Sequence, residues 1–140
     1  MSENQHTPAG RKDGAIMVEC TITNLSSHFL NYDPSSQKME HGIVTSNYGP
    51  QTVWPRGSSI TFSIESDGLM TGCEGNFYWK VADTESGIFH VHLQNPFSGH
   101  GHLWSDVCSG AENVLSITPT SYETSEDCSF SITVTVTDLD

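Results

Sequence analysis

In the C-terminal run Phe130-Ser131-Ile132-Thr133-Val134-Thr135-Val136-Thr137, apolar side chains occupy the even positions and hydroxyls the odd ones. Successive side chains of an extended chain point to opposite sides, so this pattern is a strand with one face for a core and one for water. The same period governs the start of the ordered chain, where Ile16, Val18, Cys20 and Ile22 alternate with Met17, Glu19, Thr21 and Thr23, ending at Asn24. It returns in Ile60, Phe62 and Ile64, in Phe77, Trp79 and Val81, and in Phe89, Val91 and Leu93, which alternate with His90 and His92. Shorter strands are expected around His28 to Tyr32, Leu103 to Val107 and Val114 to Ile117. Nowhere does an apolar 3.6-residue period persist over the roughly ten residues that a helix needs. Many short strands separated by turn residues define an all-β chain, a single antiparallel β-sandwich.

The 140 residues suit one domain, expected over residues 15–140, with residues 1–14 as a flexible lead-in rich in Gly, Pro and charge. Between Ile64 and Phe77 lies Glu65-Ser66-Asp67-Gly68-Leu69-Met70-Thr71-Gly72-Cys73-Glu74-Gly75, whose glycines permit the positive φ of a tight reversal. The segment therefore predicts a hairpin joining two strands. It holds no phosphate-binding spacing and no nucleophile elbow. Glu65, Asp67 and Glu74 crowd one turn, which cannot flank a sugar from two sides as a carboxylate pair must, so no catalytic residue is assigned and no enzyme is expected.

Charge narrows the partners. Seventeen acidic against five basic residues give a formal net charge of −12, which repels phosphate backbones and anionic lipid, so nucleic acid is not an expected partner. Contact with a membrane would have to use aromatic and apolar insertion or a specific head group. The first residues contain no apolar run of signal-peptide type, so a cytoplasmic chain is expected, or one released without a signal peptide and peripheral on target membranes. Cys20, Cys73, Cys108 and Cys128 lack any C-x-x-C spacing; thiols are the default, and if they pair three connectivities are open.

The glycine-spaced segment Glu65 to Gly75 resembles the aegerolysins, a family that includes small insecticidal-type crystal proteins of bacilli and fungal relatives. The first strand ending in Thr23-Asn24, the pair His41-Gly42, and Phe89 to Gly99 ending in Asn95-Pro96-Phe97-Ser98-Gly99 follow in the same order. The resemblance implies an aegerolysin-like sandwich with actinoporin-like architecture but without the N-terminal amphipathic helix. It also implies a non-enzymatic membrane-lipid-binding protein, of sphingolipid type, with cytolytic or insecticidal activity alone or with a larger pore-forming protein partner. The lipid-binding residues it points to are His41, Gly42, Trp54, Phe97, His100 and Trp104. This chain departs from the family where His41 and Phe97 stand in places often held by tryptophan, and where His100 stands near a basic residue's place.

Two other readings remain open. Aromatic and acidic loops also suit a carbohydrate-binding, lectin-like module. His90-Val91-His92 and His100-Gly101-His102 could bring His90, His92, His100 and His102 around a divalent metal such as zinc or copper, although no cofactor is required and histidines on a solvent face need no metal. Trp79 is expected in the core with Phe77. Homo-oligomers are expected through Thr/Val-rich strands such as Ser131 to Thr137, if an edge is free.

Overall fold

A computed structural model describes residues 16–68, 71–97, 102–124 and 129–139; the expected lead-in, residues 1–14, lies outside them. Among the described residues ten strands form in chain order: β1 (Met17–Asn24), β2 (Leu30–Tyr32), β3 (Lys38–His41), β4 (Ile43–Val44), β5 (Ser58–Glu65), β6 (Cys73–Val81), β7 (Ile88–Asn95), β8 (His102–Cys108), β9 (Leu115–Thr124) and β10 (Ser129–Asp138). One sheet has the order β4-β5-β1-β10-β9, and the other β2-β6-β7-β8 with β3 also on β6. Every ladder is antiparallel except β1 with β10, which run parallel from Met17 opposite Ser129 to Asn24 opposite Val136.

The inward faces are those that the alternation marks. Phe62 of the first sheet meets Phe77 and Trp79 of the second at ring-centroid distances of 4.9 and 5.8 Å, and Trp79 continues to Phe89 at 5.3 Å. All four rings are buried. The one polar atom of the Trp79 ring donates to the Gln51 carbonyl at 2.8 Å, so the indole enters the core without an orphaned N–H.

The glycine-spaced segment is not a hairpin. β5 pairs with β1 and β4, whereas β6 pairs with β2, β3 and β7, so the chain crosses from one sheet to the other between Glu65 and Cys73. The physical reason is that Phe62 and Phe77 need each other across the core, not side by side in one sheet. His41-Gly42 makes a second crossing, from β3 to β4. Gly42 has φ +81° and a side chain there would collide with the Glu65 carbonyl, so both crossings lock together at a position only glycine fits.

β9 runs well beyond the expected Val114 to Ile117 because Pro119, which reads as a strand breaker, sits on an edge strand where its missing N–H breaks no ladder. β10, the Thr/Val strand expected to offer an edge, is interior between β1 and β9 and has none free.

Candidate functional site

The ladders place Asn24, Ser58 and Val81 at one end of the sandwich and Met17, Glu65 and Cys73 at the other, about 25 Å away by the rise of an eight-residue strand. The sequence-expected residues divide between these ends and the face that joins them.

At the Asn24 end, the buried Asn24 side chain organises the loop. Its Nδ2 donates to the carbonyls of His28 (2.7 Å) and Val53 (3.2 Å), while its Oδ1 accepts from Ser26 N–H at 3.0 Å and Ser26 Oγ at 2.6 Å. Leu30 and Val53 exchange backbone bonds of 3.0 and 2.9 Å, fixing the neighbouring residues Phe29 and Trp54 on the outside. Their rings pack at 5.7 Å, and Trp54 stays 64% exposed. Leu25 and Leu139 emerge exposed at the same end. Arg56, with φ 64°, stands two residues beyond Trp54 and is held by its N–H to the Ser26 carbonyl at 3.0 Å. Asp138 accepts from the Ser27 N–H and hydroxyl, both at 3.0 Å; the backbone bond does most to hold its carboxyl below the usual range, with His28 and Arg56 adding to it. Sequence reasoning named Trp54 here and missed Leu25, Phe29 and Arg56. The signal was present: Leu30 faces the core, so Phe29 must face out, and Leu25 interrupts an otherwise polar turn.

At the Cys73 end, His41 and the half-exposed Phe97 line a hollow of about 330 Å³ with Thr71, Gly72, Glu74 and Gln94. Sheet is tied to sheet beneath it by Asn95 Nδ2, which donates to the Met17 carbonyl at 2.8 Å. Gly42 adjoins this hollow and contributes backbone only. His100 lies outside the described residues. The site expected from the resemblance is therefore not one cluster: His41, Gly42 and Phe97 are neighbours at one end, Trp54 is at the opposite end, and Trp104 lies between.

Trp104 belongs to the outer face of β6, β7 and β8, 54% exposed and stacked on His92 with centroids 4.9 Å apart. One register step away, Tyr78 stacks on His90 at 4.6 Å with planes within 7°. His92 Nε2 lies 2.9 Å from Glu74 Oε2, and His90 Nε2 lies 2.8 Å from Asn76 Oδ1 with its Nδ1 3.6 Å from Asp106 Oδ1. Burial pushes the His90 pKa below its ordinary value; Asp106 opposes this and His92 adds to it. His90 and His92 do share a face, as the alternation requires, but each is committed to its own hydrogen-bond partner. No group of three or more His, Cys, Asp or Glu side chains converges as a metal site among the described residues. Glu65 is buried at the end of β5 in one sheet, whereas Glu74 lies part-exposed on β6 of the other, so the two do not face a common cleft as a carboxylate pair.

No family model and no curated protein sequence matches the chain. Its likeness is to solved structures. The lipid-binding protein Nakanori superposes with a TM-score of 0.71 over 86% of this chain and 70% of its own, at 9% identity. IP-1A from Alcaligenes faecalis gives 0.65 over 89% and 91% at 16% identity, and the RahU protein 0.63 over 89% and 96% at 12% identity. At these identities the shared property is the fold: an all-β sandwich of two sheets, the architecture expected from the sequence.

Proposed function

We propose that this chain is a non-enzymatic membrane-lipid-binding protein that docks by the end carrying Leu25, Phe29, Trp54 and Arg56. The observation that carries the reading is the packed, solvent-exposed Phe29–Trp54 pair at the tip, where Trp54 is, at 64%, the most exposed large hydrophobic side chain among the described residues and Leu25 is exposed at the same end. An indole and a phenyl ring at a loop tip enter the apolar edge of a bilayer, the indole N–H staying with the head groups. Arg56 supplies a guanidinium beside them for a phosphate, in a chain too acidic to bind through a polybasic surface. Nakanori, a lipid-binding protein of the same fold, supports the class of ligand. The lipid is of sphingolipid type in this reading, and lysis, if it follows, is completed alone or with a larger pore-forming protein.

The test is sedimentation with vesicles of sphingomyelin plus sterol, of ceramide phosphoethanolamine, of phosphatidylcholine and of phosphatidylserine. Binding to a sphingolipid vesicle is expected. Trp54→Ala should weaken it by about 30-fold, the loss of about 2 kcal/mol of ring burial, while raising the salt should change it little. Failure to bind every vesicle type, or Trp54→Ala binding as well as wild type, overturns the reading. Dye release from the same vesicles, with the protein alone, separates lysis from binding.

A further inference from the structure

The apolar tip leaves unexplained why the outer face of β6, β7 and β8 collects rings, amides and carboxylates. Their rows are set by register: Asn76, His92 and Trp104 lie side by side, then Tyr78, His90 and Asp106. A hollow closes each end of these rows. One is the 330 Å³ hollow at His41, Glu74, Gln94 and Phe97, and the other, of about 380 Å³, is lined by Asp33, Ser36, Tyr78 and Lys80. Glu74 and Lys80 mark the two ends on one strand, six residues apart and so roughly 20 Å. That is the reach of a short oligosaccharide, not of a single small ligand.

The geometry points to a glycan-binding groove along this face, taking a neutral oligosaccharide. A pyranose ring has an apolar C–H face and a rim of hydroxyls. Trp104 and Phe97, each about half exposed, offer ring surface to the first; Glu74, Gln94 and Asp106 offer acceptors and an amide to the second. The Glu74 carboxylate is held in place by His92 at 2.9 Å, and a carboxylate fixed by one partner keeps lone pairs for sugar hydroxyls. Glu74 and Asp106 on the face, in a chain of net charge −12, repel sialylated or sulfated glycans, which selects neutral ones. The groove does not depend on the lipid reading: its Lys80 end adjoins the Trp54 end of the sandwich, but Trp104 and Phe97, which would stack on sugar, lie along the face and at the opposite end.

Saturation-transfer difference NMR on the full chain, with neutral tri- and tetrasaccharides and their sialylated counterparts, tests it. Transfer to at least one neutral sugar is expected, with little to the sialylated ones. Trp104→Ala and Phe97→Ala, both at exposed positions, should each weaken binding by about tenfold, and Trp54→Ala should leave it unchanged. A second arm presents the bound sugar as a glycolipid in phosphatidylcholine vesicles, and capture there as well as in solution identifies the source as membrane-borne. No transfer to any neutral sugar overturns the proposal, as does wild-type affinity in both variants. A chain that binds sugar but no sphingolipid vesicle overturns the membrane reading alone.

Discussion

The two outer faces of this sandwich are built on the same ladder geometry and filled with different chemistry. On the first sheet, the outward positions of β1 and β5 toward the Asn24 end pair hydroxyl with hydroxyl, Thr21 with Thr61 and Thr23 with Ser59, each at 2.8 Å, and β10 adds Ser131, Thr133 and Thr135. These are short β-branched or small residues that satisfy one another and present little to a ligand. On the second sheet the equivalent positions hold Asn76, Tyr78, His90, His92, Trp104 and Asp106. Both faces solve the same folding problem, yet among the described residues the rings and imidazoles gather on the second. The difference marks the second face as the one on which the proposed glycan contacts are gathered.

The largest effect should come from the layer both faces share. Phe62 is fully buried and touches Phe77 and Trp79 across the core. Phe62→Ala should cost about 3–5 kcal/mol in denaturant unfolding. Because the ring joins the sheets, both faces should lose structure in one transition. Separate midpoints for probes on the two sheets would break the picture of two faces on one core.

How much of this was readable follows from the same distinction. The period-2 pattern states which residues face inward, and the burial of Val18, Phe77, Trp79 and Val134 follows it directly. Pairing partners are another matter. Alternation is identical whether β5 and β6 lie side by side or face to face, so the glycine-rich segment between them read as a hairpin while the chain was changing sheets. His41-Gly42 stands out in the sequence only for its resemblance, whereas the demand for glycine there comes from the Glu65 carbonyl, a contact no local pattern contains. The candidate site suffered most: Trp54, Phe97 and Trp104 are each exposed as expected, but their separation depends on strand order. Asn24, which builds the Trp54 tip through four hydrogen bonds, reads as the end of a strand because three of those four partners are backbone groups that leave no mark on the sequence.

A middle-sized effect should distinguish the faces by pH. His90 is held below its ordinary pKa of 6.5, mainly by burial, so the unfolded chain binds its proton more readily than the folded one. Its contribution is therefore full above the unfolded value and is lost as pH falls through 6.5 toward the lower folded value. His90→Gln should flatten that part of the stability profile at mildly acidic pH. Thr21→Val, on the opposite face, should leave the profile's shape unchanged. An unaltered profile in His90→Gln would remove the histidine face as the source of acid sensitivity in this window.

The smallest effect concerns reactivity, with almost none on stability. Cys108 ends β8 beside the ring-bearing face and is exposed, whereas Cys20 and Cys73 lie buried in the core. Burial raises the Cys73 thiol to about 12 and pushes Cys20 higher still, so neither supplies thiolate or access to an alkylating reagent at neutral pH. Iodoacetamide on the native chain, read by peptide mass spectrometry, should label Cys108 and spare Cys20 and Cys73 until denaturant is added. The modification should shift the melting temperature by no more than about 1 °C, since an exposed strand end has little packing to lose. Rapid native labelling of Cys20 or Cys73 would mean that the sheets separate locally, and the contrast between an inert core and a chemically furnished outer face would then need to be redrawn around that opening.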